Sequence, residues 1–183
     1  MKSWILAVAV AGLAINVAQA SHLGTFDERL KYEGDATDKF APMELSVDAY
    51  GSYISRERRI SSFPTTNIRH GRWGGGIGAN YFFTKNLGVG GDINIPDNGG
   101  NFVDSVAGSV IGRFPIDSVS LAPYLFGGGG RQTDPSWEWF GHAGGGLEFR
   151  LNHYTGIFTD ARYVWVNNLQ DYVYVRAGLR FAF

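Results

Sequence analysis

From Met43 onward the chain repeats one pattern: apolar residues fall on alternate positions, a turn signal interrupts, and the alternation resumes. Period two marks a strand whose two faces meet different surroundings. Met43 to Tyr53 sets Leu45, Val47, Ala49, Gly51 and Tyr53 against Glu44, Ser46, Asp48, Tyr50 and Ser52. Gly71 to Phe83 sets Trp73, Ile77, Ala79, Tyr81 and Phe83 against Arg72, Gly74, Gly76, Gly78 and Asn80. Leu87–Ile95, Trp137–Leu151, Thr155–Val166 and the closing run "VYVRAGLRFAF" (173–183) behave the same way. Ser118 to Gly130 carries Pro123, which removes a ladder donor. Phe102 to Phe114 does not sort: Val103, Ala107 and Ile111 compete with Val106, Val110 and Phe114. These segments number eight, and none after the leader has a helical period.

The connections alternate in length. Those after the second, fourth and sixth segments are about three residues; the others are longer, the first most of all. Short turns at one end and long loops at the other suit an up-and-down barrel that crosses a membrane. Aromatics sit at segment ends: Trp73 and Phe83, Trp137, Trp139 and Phe149, Tyr163 and Trp165, Phe181 and Phe183. Two such girdles bound the apolar band of an outer-membrane barrel. About eleven residues at ~3.3 Å each, tilted ~40°, cover that ~25 Å band.

In a membrane barrel the charged face turns inward. It holds Arg72, Arg150, Arg162, Arg176 and Arg180 against Glu44, Asp48, Asp92, Glu138, Glu148 and Asp160. An eight-stranded barrel has a lumen only wide enough for side chains. These charges are therefore expected to form a paired network that plugs the lumen, since an unpaired ion there costs several kcal/mol. Closure brings the first segment beside the last, and a register in which partners sum to 224 sets Glu44 against Arg180 and Asp48 against Arg176. Gly74, Gly76, Gly78, Gly88, Gly90, Gly144 and Gly146 leave room for the long side chains.

The N-terminus reads as an export signal over residues 1–20: Lys2, an apolar stretch from Trp4 to Val17, and "AQA" before Ser21. Residues 21–42 are polar, without period, and read as a periplasmic lead-in. Residues 43–183 then form the barrel, with both termini periplasmic. The chain has no cysteine, which excludes disulfides and thiolate chemistry. Its net charge of -1 gives no electrostatic case for nucleic acid.

The last strand carries something more specific. Arg176-x-Gly178-x-x-Phe181-x-Phe183 resembles the C-terminal assembly signal of outer-membrane proteins: polar, x, Gly, x, x, aromatic, x, aromatic. With the eight-segment pattern, the chain resembles the small OmpA/OmpX-type eight-stranded outer-membrane barrels over about residues 43–183. That resemblance implies insertion among outer-membrane lipids of a Gram-negative-type bacterium, with the last strand read by the barrel-assembly machinery.

Other chemistry is weakly supported. The runs "GGGIG" (74–78), "GGGG" (127–130) and "GGG" (144–146) match no phosphate-loop spacing and open no helix. His142 shares a face with Glu138, half of a catalytic triad without a nucleophile, and adding Glu148 makes a poor metal set. No cofactor is expected. The first long loop holds Arg56, Arg58, Arg59 and Arg69, a basic cluster suited to lipopolysaccharide phosphates or a host polyanion. The expectation is a monomeric, non-enzymatic outer-membrane protein with a structural or surface-interaction role. The alternatives are a soluble periplasmic ligand-binding barrel and a lipid A-modifying enzyme.

Overall fold

A computed structural model describes residues 39–55, 58–59, 67–68, 71–96, 103–133, 137–167 and 171–183. The expected signal peptide, most of the lead-in, and Arg56 and Arg69 lie outside the described residues.

The strands in chain order are β1 (Glu44–Ile54), β2 (Arg58–Arg59), β3 (Asn67–Ile68), β4 (Arg72–Phe82) and β5 (Leu87–Pro96), followed by β6 (Ser105–Arg113), β7 (Leu121–Gln132), β8 (Glu138–Arg150), β9 (Thr155–Val166) and β10 (Tyr172–Ala182). Eight of them close an antiparallel up-and-down barrel, with β10 returning to pair with β1. β2 and β3 form a separate two-stranded ladder within the first long loop. Closure leaves none of the eight barrel strands with an unpaired edge, the condition for a sheet to sit in hydrocarbon.

Both described ends of the barrel chain lie with the connections 83–86, 114–120 and 151–154, the turn end; 55–71, 97–104, 133–137 and 167–171 lie at the loop end, and 114–120 is longer than the three-residue turn expected there. Side chains close the tight turns. Thr84 Oγ1 accepts the Asn86 and Leu87 amides at 3.2 and 3.0 Å, and Asn152 Oδ1 accepts those of Tyr154 and Thr155, both at 2.8 Å. The expected strand start at Ser118 is corrected: Asp117–Val119 is a 3₁₀ turn, closed by Ser120 in the left-handed region at φ 56°, and β7 begins at Leu121.

The polarity is inverted relative to a soluble barrel. On β10, Val175 and Leu179 are 39% and 45% exposed, while Arg176 and Arg180 are 8% and 3% exposed. A soluble ligand-binding barrel needs the opposite arrangement. The unsorted segment resolves too: Val106, Val110 and Phe114 face outward, and Ala107, Ile111 and Arg113 face the lumen. Outward aromatics form two belts. Tyr53, Trp73, Trp137, Trp139, Tyr163 and Trp165 ring the loop end; Phe83, Phe114, Phe149, Phe181 and Phe183 ring the turn end. Trp73 and Phe83 are ten residues apart, as are Trp139 and Phe149. Ten tilted strand residues span ~25 Å, the height of the apolar band.

The seam register differs from the expected one by four residues. β1 and β10 pair with partners summing to 228, as in Ser46 with Ala182 and Asp48 with Arg180. Leu45 and Phe183 exchange backbone hydrogen bonds of 3.2 and 2.7 Å at the end of the ladder. The cause lies just upstream. Pro42 has no N–H to donate, and Met43 turns left-handed at φ 56°, so β1 cannot extend back to pair in the other register. A slip of four preserves every residue's face, so the polarity reading was unaffected. The proposed pairs Glu44–Arg180 and Asp48–Arg176 are replaced by others.

Candidate functional site: the luminal ion column and the loop-end rim

Alternation delivers the charged side chains of the barrel strands, all but Arg131, to the lumen, where ten of them form two neutral groups. Nearest the turn end, Glu44, Asp48 and Glu148 meet Arg113, Arg150 and Arg180. Arg113 Nη1 donates to Glu44 Oε1 at 2.8 Å and Arg150 Nη2 to the same oxygen at 2.5 Å. Arg180 clamps Asp48 with bonds of 2.7 and 2.8 Å and reaches Glu148 Oε2 at 2.5 Å. Arg150 Nε donates to Glu148 as well. Asn80 Nδ2 gives Asp48 a further bond of 2.9 Å.

At mid-barrel, Asp92 and Asp160 meet Arg162 and Arg176. Arg162 holds Asp92 in a two-pronged contact of 3.0 and 2.8 Å, Arg176 holds Asp160 through two bonds of 2.8 Å, and Arg176 also lies 3.3 Å from Asp92. The Tyr124 hydroxyl donates to Asp160 at 2.8 Å. Five arginines thus face five carboxylates, and planar guanidinium forks supply the bidentate geometry that buried pairs need to offset desolvation. Above them, Ser52 and Tyr174 donate to Asn94 Oδ1 at 3.0 and 2.7 Å.

Close strand approach makes this packing possible. A Cβ on Gly146 would lie 2.5 Å from Asp160 Cβ and 2.7 Å from the Tyr124 ring. One on Gly76 would lie 2.4 Å from the Tyr50 hydroxyl. The bulk of Tyr124 and Tyr50 occupies what those glycines leave empty.

Several sequence expectations are revised. Glu138 lies on the luminal face at the loop-end rim, half-buried opposite Gln132, and makes no ion pair among the described residues. It stands beyond the reach of the column because β8 carries it two inward positions past His142, with Phe140 between them. Arg72 is at the same rim, paired at 3.0 Å with Asp104, the residue just ahead of β6. Arg113, absent from the expected network, is fully buried within it. Residues just ahead of β1 also pack at the turn end: Lys39 Nζ donates to the Arg150 carbonyl at 3.3 Å. Phe40 is fully buried, with the guanidiniums of Arg113 and Arg150 at 5.0 and 5.2 Å from its ring. It stoppers the turn end of the column. Arg58 and Arg59 lie on β2.

His142 is buried between Phe126 and Phe140, each ring centroid 6.0 Å away, and among the described residues no side chain hydrogen-bonds its nitrogens. Glu138 does not bond it, so the half-triad does not form. Among the described residues no cluster of His, Asp and Glu has the geometry to hold a metal.

The fold and the lumen together define an eight-stranded transmembrane β-barrel with a salt-bridged interior. No family model and no curated protein matches the chain. Solved structures do. The N-terminal β-barrel domain of Pseudomonas aeruginosa OprF superposes with a TM-score of 0.58 at 15% identity, covering 78% of this chain and 99% of that one. The outer-membrane protein OprG of the same organism gives 0.56 at 10% identity, covering 81% and 99%. A de novo designed transmembrane β-barrel gives 0.50 at 22% identity, covering 78% and 97%. The chain has the fold of the small eight-stranded outer-membrane barrels. That a designed barrel shares the architecture shows how little the fold alone says about function.

Proposed function

We propose that this chain is a monomeric, non-enzymatic outer-membrane protein that acts at the cell surface through its loop end. The lumen carries the reading. Five buried arginines are neutralised by five buried carboxylates, so the interior is committed to holding the barrel shut. What remains for interaction is the loop end, where the first loop places Arg58 and Arg59 on a small ladder beside Arg56 and Arg69 in sequence. Such a cluster suits phosphates of lipopolysaccharide or a host polyanion. Residues 1–20 would direct export and be removed, and Arg176, Gly178, Phe181 and Phe183 would present the last strand to the assembly machinery.

Fractionation with a heat-shift gel tests the location: the unboiled protein should run faster than the boiled one and be confined to outer-membrane fractions. A protein that stays monomeric in plain buffer ends the reading. For the loop, the fourfold variant Arg56→Gln, Arg58→Gln, Arg59→Gln, Arg69→Gln should lose retention on immobilised heparin while keeping the heat shift. Equal retention removes the polyanion role.

A further inference from the structure

Of the charged side chains on the eight barrel strands, every one points into the lumen except Arg131. It sits on the outward face of β7, one residue from the strand's loop end, opposite Val106 on β6 and Trp139 on β8. Its guanidinium lies 4.4 Å from the Trp137 ring and 5.5 Å from the Trp139 ring, and no acid pairs with it among the described residues. Both indoles are themselves about two-thirds exposed, at 67% and 66%. A cation on the lipid-facing surface is costly at mid-membrane and tolerable at the headgroup level. The tryptophan belt puts Arg131 at that level. There its guanidinium lies over two aromatic plates at the rim of the outward face.

Directly below Arg131, β7 and β8 present no outward side chain larger than a methyl until Leu125 and Leu147. Descending β7 toward the membrane centre, the next outward residues are Gly129 and Gly127; on β8 below Trp139 they are Gly141, Ala143 and Gly145. Val110 on β6 and Tyr163 on β9 flank this strip in the ladder, opposite Gly127 and Ala143. The result is a trough floored by backbone and the Ala143 methyl, three strands wide at Gly108, Gly129 and Gly141 and one strand pair wide at Gly127 and Ala143, edged on β9 by Trp165 and running inward from a single outward cation. Width and apolar floor match an extended acyl chain, and the cation at its upper end matches a phosphate.

We infer that this rim is a fixed site for a phosphate-bearing, multi-acyl lipid of the outward-facing leaflet: the phosphate rests on Arg131, framed by Trp137 and Trp139, and one chain lies in the trough. The inference rests on the membrane orientation proposed above, and the heat-shift gel tests that orientation separately. The site is distinct from the basic first loop, which lies between β1 and β4.

The test uses the full chain refolded into zwitterionic vesicles containing diphosphorylated lipid A, or its dephosphorylated form, and then transferred to mild detergent for native mass spectrometry. The wild type should retain one diphosphorylated molecule and not the dephosphorylated one. Arg131→Gln should lower that occupancy by about tenfold or more, the worth of one charge-assisted hydrogen bond, and Arg131→Lys should keep most of it. Gly129→Leu, which fills the trough and leaves the arginine, should also release the lipid. Each variant is first shown to give the heat shift, which separates loss of the site from loss of the barrel. Equal retention by wild type and Arg131→Gln, or retention of the dephosphorylated lipid, overturns the phosphate site. Full retention by Gly129→Leu overturns the acyl seat.

Discussion

Asp48 and Arg180 face each other across the seam where the first and last strands of the barrel meet, joined by two hydrogen bonds of 2.7 and 2.8 Å. Arg180 also bonds Glu148 of β8, so one side chain ties the seam to the turn-end charge group. The closure of the sheet and the neutrality of the lumen therefore depend on the same residue.

Arg180→Ala should leave Asp48 and Glu148 short of their principal cation in a buried setting. Breaking one partner of a buried pair costs ~3–5 kcal/mol. Urea unfolding of the refolded barrel, followed by the heat-shift gel, should show a midpoint lowered accordingly. The paired change Asp48→Asn with Arg180→Gln should cost less than the two single changes added together. Strict additivity would mean that the contact is not energetically coupled.

Phe40 should behave as a structural part of the barrel although it precedes the first strand. Its ring is fully buried against Arg113 and Arg150. Phe40→Ala removes that contact and opens the turn end of the column, with an expected loss of ~3–5 kcal/mol for a large buried aromatic. Unchanged unfolding in urea would place the stability wholly within the strands.

The strands and their faces were legible in the sequence because period two records a difference in surroundings, and lipid and ion-filled lumen differ strongly. β6 resisted because its luminal Ala107 and Ile111 are as apolar as its outward Val106 and Val110. Ile111 packs inside against Phe82 and Tyr124, where the lumen needs bulk rather than charge. Arg113 was missed for the same reason, yet a signal existed: placing Phe114 in the turn-end aromatic belt forces its neighbour inward. The seam register was hidden because any even slip keeps the faces. Pro42, present in the sequence, was the clue that β1 could not start earlier. Arg131 was hidden because the polar run from 131 to 136 reads as loop, whereas the ladder holds Arg131 and Gln132 on β7.

The glycines should divide by face. A Cβ on Gly146 meets Asp160 and the Tyr124 ring within 2.7 Å, while one on Gly51, on the lipid side, meets nothing within 4 Å. Gly146→Val should therefore destabilise by roughly 1–3 kcal/mol or more through overpacking. Gly51→Val should stay within ~1 kcal/mol of the parent, since a β-branched residue suits an exposed strand position. Comparable losses for both would show that glycine serves curvature alone and that luminal volume is not limiting.

The terminal residue allows the seam and the assembly signal to be separated. Phe183 contributes two things: a backbone pair with Leu45, at 3.2 and 2.7 Å, and an aromatic ring in the turn-end belt. Phe183→Ala keeps the backbone pair and removes the ring. Refolding into detergent depends on the ladder and the lumen, so the purified variant should still give the heat shift with nearly parental stability. Assembly in cells depends, on the proposed reading, on recognition of the aromatic side chain, so the same variant should accumulate as unassembled, protease-sensitive chain. Deletion of Phe183 removes both contributions and should impair both measurements. If Phe183→Ala assembles in cells as well as the parent while the deletion does not, the terminal residue serves only to close the seam, and the recognition role is lost.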